Sequence, residues 1–324
     1  MKTLVIGSCD IDVFISPQLS SSFTQTDTSV SFNLGDKVPV NISQMCLGGN
    51  GSNVSVGLKR LGLDSSFYTY FGTDLFSTLI HDSINKEGVK LIEHDGFGDN
   101  TSISLILDFS TDRVILSHHE VREHKFNPSH VETYEAMYLT SIGKEWVQAY
   151  KDIVSFIHSN HMVVAFSPGS PQFASLEDVV YEAIAGSQIL FANKEEGEKL
   201  LEKKGEHGQD IKDLLTKLSQ LGPETVSITD GKKGAYAYSK GELYALPPFD
   251  TDAQTVDKTG AGDAYATAFF ACILHGNDVK EAMRWGAVNS NSVMQKVGAQ
   301  SGLLTPDEIQ KQLESHKEFQ PEVL

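Results

Sequence analysis

Positive charge is scarce in this 324-residue chain: 26 lysines and arginines face 43 aspartates and glutamates, leaving a formal charge of −17. That deficit disfavours a nucleic-acid partner, because affinity for a polyanion comes from basic side chains displacing counterions from phosphates. Cysteine is scarce too. Cys9, Cys46 and Cys272 are odd in number, far apart and free of any CxxC or Cys/His ligand spacing, so neither a disulfide framework nor structural zinc is expected. Long apolar runs are missing. The longest, residues 264–274, includes Tyr265 and Thr267 and falls far short of a membrane span. The first residues hold one lysine and a short apolar run cut by Asp10 and Asp12, too little for the core of a secretory leader. A cytoplasmic protein with no membrane partner is expected. Two phosphate-binding glycine patterns are also lacking. Gly-x-x-x-x-Gly-Lys-Ser/Thr does not occur, and Gly49-Asn50-Gly51-Ser52-Asn53-Val54 has Val where Gly-x-Gly-x-x-Gly should close, so a dinucleotide-binding reading loses its main support.

What is present is enough apolar material for a sizeable core, at 40% hydrophobic and 21% charged residues. Short apolar runs at 4–7, 66–71, 162–166, 188–191 and 225–229 read as buried strands. Between them, residues 54–61, 75–84, 145–158, 195–203, 211–221 and 264–274 carry apolar side chains at three- and four-residue spacings, as helices do. Strand alternating with helix predicts an α/β fold with a parallel sheet covered on both faces. Residues 13–45 and 101–117 break that rhythm with alternating polar and β-favouring residues, which predicts antiparallel strands from two insertions. They would form a small sheet projecting from a core made of 1–12, 46–100 and 118–324. Residues 235–239 and 242–246 read as a hairpin around Lys240-Gly241.

The strongest local signal is Asp257-Lys258-Thr259-Gly260-Ala261-Gly262-Asp263, leading straight into the apolar helix at 264–274. Glycines at a helix start let the backbone approach a ligand, and the unpaired N–H groups there point outward with the positive end of the helix dipole behind them. That is an anion site. A carboxylate one residue further on should repel a phosphate unless it faces something else, and a hydroxyl about to be phosphorylated would satisfy Asp263. Ionised at neutral pH, it would accept the alcohol proton; it also reads as an ordinary acidic residue stabilising a helix dipole. A second cluster, Gly48-Gly49-Asn50-Gly51-Ser52-Asn53, opens another helix and offers amide and hydroxyl groups suited to a polyol, or an ordinary glycine turn with an Asn cap. Asn193 and Glu196 have capping-box spacing after an apolar strand, and the same spacing places an amide and a carboxylate where they would hold water on a magnesium ion. Thr229 and Gly231 sit in a turn after the strand at 225–229.

Together and in this order, these pieces resemble the signature set of the ribokinase-like, or PfkB, family of carbohydrate and nucleoside kinases, over nearly the whole chain from Thr3 to about Leu313. The resemblance implies a Rossmann-type αβα sandwich with a small β-sheet lid, and an ATP-dependent kinase that phosphorylates a hydroxyl of a small sugar. On this resemblance Asp263 is the base and Gly260, Ala261 and Gly262 form the anion hole. Asp12, Gly48, Gly49, Asn50 and Asn53 hold the sugar. Asn193 and Glu196 organise magnesium, and Thr229 and Gly231 lie near the ATP phosphates. Several members bind a monovalent cation beside the anion hole. The resemblance therefore implies potassium held by Asp257, Thr259 and the loop containing Val293, Lys296 and Gly298. Lys258 departs from the usual Thr of the second signature at a position that is not one of the chemical ones. Asn50 stands where ribokinases and phosphofructokinases often have Lys, and residues 138–143 lack the acid some ribokinases use, so a neutral pentose or hexose ranks first, although Arg113, Arg122 and Lys125 could supply charge for a phosphosugar. A nucleoside kinase ranks second, with Phe14, Phe23 and Phe32 as stacking or packing residues, and a catalytically silent relative third. Lids of this family often mediate dimers, so pairing of two copies there is an expectation.

Overall fold

The computed structural model describes residues 1–18, 23–26, 28–92, 100–109, 113–131, 133–249 and 255–324. The parts of the expected core and small-sheet segments at 19–22, 27, 93–99, 110–112, 132 and 250–254 lie outside the described residues. Its strands are β1 (Lys2–Ile6), β2 (Asp10–Pro17), β3 (Thr24–Gln25), β4 (Val30–Ser31), β5 (Val40–Gly48), β6 (Asp64–Tyr68), β7 (Lys90–Ile92) and β8 (Ile103–Asp108). They continue with β9 (Arg113–His118), β10 (Ala136–Leu139), β11 (Val163–Phe166), β12 (Ile189–Asn193), β13 (Thr225–Thr229), β14 (Ala235–Ser239), β15 (Glu242–Leu246) and β16 (Glu322–Val323). The helices are α1 (Asn50–Arg60), α2 (Leu75–Lys86), α3 (Val147–Ser159), α4 (Ser170–Ser175), α5 (Asp178–Ala185), α6 (Lys194–Lys203), α7 (Ile211–Ser219), α8 (Ala261–Leu274), α9 (Val279–Met294) and α10 (Pro306–Ser315).

Ten strands form the main sheet in the order β16-β15-β14-β13-β12-β11-β10-β1-β6-β7, parallel from β13 to β7 and antiparallel beyond β13. Alternation along β1 explains the layers. Leu4 and Ile6 join a core with α3, α5, α6 and α7, while Val5 joins a second core with α1, α8 and α9. Both faces of the parallel sheet are thus covered by helices, giving an αβα sandwich. The chain winds outward from β1 in one direction to β7 and in the other through β10 to β13. That reversal leaves a crevice beyond the carboxyl ends of β1 and β10, where open α/β sheets bind ligands.

The second sheet has the order β5-β2-β8-β9 and runs from Asp10 to Gly48 and from Ile103 to His118, so its first insertion is longer at both ends than the 13–45 expected. Its pairing is mixed. β2 pairs antiparallel with β5 and β8 with β9, but β2 and β8 are parallel, against the all-antiparallel expectation. Both leave the core in the same direction, which forces them to run side by side. Register sorts the side chains by face. Met45, Val13, Leu105 and Leu116 form one row across the outer face, and Cys46, Asp12, Ser104 and Ser117 form the next row on the inner face. Among the described residues no helix is long and apolar enough to cross a membrane.

Candidate active site

The start of α8 is shaped by Gly260, whose φ of +74° places it in the left-handed region, and by Ala299, which a Cβ at Gly260 would approach to 2.3 Å. Only glycine fits there without strain. Among the described residues no side chain caps this helix end and a Cβ on Gly262 would meet none of them, so the first turn faces a cleft. The Ala261 N–H turns back to the Lys258 carbonyl at 3.3 Å.

That cleft holds about 410 Å³ and is lined by Gly260 to Asp263, by Asn193 and Glu196 beyond β12, by Thr229 at the end of β13, and by Ser167 to Ser170 after β11. Asn193 and Glu196 form the capping box, with the Glu196 N–H donating to Asn193 Oδ1 at 2.9 Å and the Asn193 N–H donating to Glu196 Oε2 at 2.9 Å. Burial pushes the Glu196 carboxyl above its usual range, and the Asn193 N–H pulls it back in part. Gly231 follows Thr229 in an exposed turn and does not line the cleft. Lys258 does line it, so the departure at that position puts a cation beside the space a phosphate chain would fill.

A smaller cavity of about 90 Å³ opens at the crevice where the winding reverses, between Ser8 to Asp10, Ser141 to Gly143, and Ser102, His119, Arg122 and His124. Asn50 and Ser170 line both cavities. At that junction Asn50 Nδ2 donates to Asp263 Oδ1 at 2.8 Å and Asn53 Nδ2 donates to Asp263 Oδ2 at 2.9 Å. Asp263, in the first turn of α8, is therefore held by two amides of α1. Burial raises its pKa, and the Asn53 and Asn50 hydrogen bonds lower it in part. Gln300 Nε2 in turn donates to Asn53 Oδ1 at 3.1 Å, fixing the orientation of that amide.

The sugar-side residues are only partly together. Asp12, Gly48, Gly49 and Asn53 line neither cavity. Asp12 is buried on the inner face of the small sheet, where a Cβ on Gly48 would come within 2.3 Å of its carboxyl. Burial first, then the carboxylates of Asp10 and Asp257, push Asp12 up to about 7. Asp10 lines the smaller cavity instead; burial raises it while His119 and Arg122 pull it down. The sequence carried that signal, since Asp10 and Asp12 share a face of one strand at period two. Arg122 Nη2 donates to the Asn100 carbonyl at 2.5 Å, whereas its buried Nη1 has no hydrogen-bond partner among the described residues. Phe23 and Phe32 pack against each other and against Phe109, with ring centroids 6.1, 5.2 and 6.3 Å apart, and Phe14 is buried.

The expected monovalent-cation ligands have other partners. Asp257 Oδ1 accepts the Thr259 N–H at 2.9 Å, the Thr259 hydroxyl at 2.7 Å and Arg113 Nη1, while Oδ2 accepts the Gly298 N–H at 3.0 Å. The Val293 carbonyl accepts the Lys296 N–H at 3.1 Å in the last turn of α9. A carboxylate oxygen has about two acceptor positions, and three donors, one of them cationic, already crowd Oδ1, while Oδ2 accepts one. At Oδ1 this donor set does not fit a bound potassium ion.

Comparison with known proteins agrees with this architecture. A family model described as pfkB family carbohydrate kinase matches residues 25–306, and the chain belongs to that family. It is 25% identical to a 5-dehydro-2-deoxygluconokinase of Bacillus subtilis (strain 168), over 83% of this chain and 87% of that one. It is also 25% identical to a nucleoside kinase of Methanocaldococcus jannaschii, over 83% and 86% of the two chains. A ribokinase from Cryptococcus neoformans solved with ADP superposes with a TM-score of 0.72 at 20% identity, covering 96% of this chain and 99% of that one. The fold is the ribokinase fold.

Proposed function

We propose that the protein transfers the γ-phosphoryl group of ATP to a hydroxyl of a small sugar, a pentose or hexose. The observation that carries this reading is the junction at Asn50: two cavities of different size meet where a half-buried carboxylate, Asp263, stands in the first turn of a helix that no side chain caps among the described residues. The larger cleft takes ATP, with its phosphates toward the first turn of α8, Thr229 and Lys258. The smaller one takes the acceptor, through Asp10, Arg122 and the amide of Asn50. Asp263 orients the acceptor hydroxyl and takes its proton as the bond to phosphorus forms. The N–H groups at the start of α8 hold the charge of the transferring group. A magnesium ion bound with ATP would neutralise its phosphates. Asn193 and Glu196 fit that ion through water, since the cap uses only Oε2 of Glu196 and the ion keeps most of its water shell. Among the described residues there is no cluster of three acidic, His or Cys side chains to hold a metal directly.

The small sheet acts as the lid, keeping water from the reacting phosphate. Its outer face exposes Ile42, Met45, Leu105, Val114 and Leu116, an apolar surface on which a second copy of the chain would pair. The test is ADP release from MgATP against free sugars, sugar acids, phosphosugars and nucleosides, with Asp263→Asn as control. A sugar that releases ADP in an Asp263-dependent way supports the reading, and a nucleoside hit replaces it with nucleoside phosphorylation. A folded, ATP-binding protein that turns over nothing in the panel moves it to a silent relative.

A further inference from the structure

Asp257 is 8% exposed and precedes the glycine turn of α8. Its two oxygens tie together three separate parts of the molecule: Thr259 at the approach to α8, Gly298 in the loop after α9, and Arg113 at the start of β9. Arg113 lies opposite Asp108 in the row that belongs to the inner face of the small sheet. That face also covers the loop, since a Cβ on Gly298 would sit 3.3 Å from Cys46 Sγ, 3.5 Å from Gln44 Nε2 and 3.8 Å from a ring carbon of Phe14. The guanidinium therefore descends from the sheet onto a carboxylate that braces the phosphate-facing helix end.

We propose that Arg113 is a built-in counter-cation of the phosphate cradle: its guanidinium supplies at Asp257 the positive charge that a potassium ion would supply, and makes the protein independent of monovalent cations. Three physical points carry this. Three donors, the guanidinium among them, crowd Oδ1 of Asp257, so a metal ion at that oxygen would have to displace one of them. Arginine stays charged at every working pH and binds a carboxylate through charge-assisted hydrogen bonds. The fixed charge cancels that of the Asp257 carboxylate, which would otherwise oppose the positive end of the α8 dipole where an anion is to be held. Arg113 acts through Asp257 and is a positioning residue. Because it is carried by the small sheet, the cradle is braced only while that sheet lies over the site, so acceptor enclosure and phosphate binding are coupled.

This inference rests on the kinase reading for its purpose, but its test needs no acceptor. The affinity for MgADP, by a fluorescent analogue, and the melting temperature are measured in KCl and in choline chloride at equal ionic strength. The proteins are the wild type, Arg113→Ala and Arg113→Gln, the latter keeping part of the stem and an N–H donor without the charge. The wild type is expected to give the same affinity and melting temperature in both salts. Each variant is expected to bind MgADP ~5- to 150-fold more weakly in choline, the usual range for coupled sites, and to recover most of the loss in KCl. Potassium dependence of the wild type overturns the inference. So does an unaffected variant, or a loss that KCl does not restore, which would mark Arg113 as a packing residue. If Arg113→Ala does not fold, Arg113→Gln decides by the same criteria. Absence of turnover on every acceptor, with this salt pattern intact, would count against the kinase reading alone.

Discussion

Replacing Asp263 by Asn separates chemistry from architecture. The side chain keeps its shape and loses its basicity. Asp263 now accepts one hydrogen bond from each of Asn50 and Asn53, at 2.8 and 2.9 Å. An amide at 263 keeps one of them and sets an N–H against another N–H in the second. A buried unpaired donor costs about 1–3 kcal/mol. Relief from burying a carboxylate, whose pKa burial raises, offsets part of that cost. Rotation of the Asn50 amide recovers more. Stability should change by no more than about 2 kcal/mol, a shift of a few degrees in melting temperature for a chain this long. Catalysis should change far more, because general bases contribute about 100- to 10,000-fold, or roughly 3–5 kcal/mol of transition-state stabilisation. The assay is ADP release at saturating MgATP and acceptor, with MgATP affinity measured separately and expected to stay within about threefold if binding and chemistry are separate. Turnover within tenfold of the wild type would refute the assignment of Asp263 as base.

Three further outcomes follow from the same geometry. Gly260→Ala drives a Cβ to 2.3 Å from Ala299 Cβ at a positive φ. It should lower stability by about 1–3 kcal/mol in urea unfolding and weaken MgATP binding; a wild-type unfolding midpoint would contradict it. Asp12 holds its proton up to about 7 when folded, against 3.8 in an unperturbed carboxyl, so between those values the folded state binds more protons than the unfolded one. Its contribution to stability therefore falls as pH rises across that window, by at most about 1.4 kcal/mol per pH unit. Asp12→Asn should raise the melting temperature at pH 8 and leave it nearly unchanged at pH 4; an equal shift at both would count against the burial argument. Glu196→Gln keeps an acceptor for the cap but loses the charge, so KM for MgATP should rise with little change in melting temperature, and an unchanged KM over a magnesium titration would exclude Glu196 from the metal's water shell.

Much of the core was legible because parallel strands buried on both faces read as continuous apolar runs, and the hairpin β14–β15 and strand β13 fall where the pattern placed them. β10 is hard to read because Ala136–Leu139 is only four residues long. Helices α9 and α10 carry no chemical motif and are marked in the sequence by their caps, Asp278 and Thr305. At the site, glycine turns and the Asp263 carboxylate announced themselves as local patterns. The ion pair between Arg113 and Asp257 did not, since it joins a small-sheet strand to a distant turn and no spacing rule connects them. The Ser167-Pro168-Gly169-Ser170 segment was available as a breaker cluster after an apolar strand, at the ligand-binding end of a parallel sheet.

The parallel pairing of β2 with β8, in which Ile11 lies beside Ile103, also bears on how the chain reaches this state. A bond between strands so distant in sequence closes a long loop, whose entropy must be met before the contact returns anything. The intervening β6 and β7 lie next to β1 in the main sheet, and their pairing ahead of β2 and β8 would shorten that loop. The small sheet should thus be the last part to acquire protection from hydrogen exchange during refolding and the first to lose it on warming. Grafted alone onto another protein, its two halves would have nothing to bring them together.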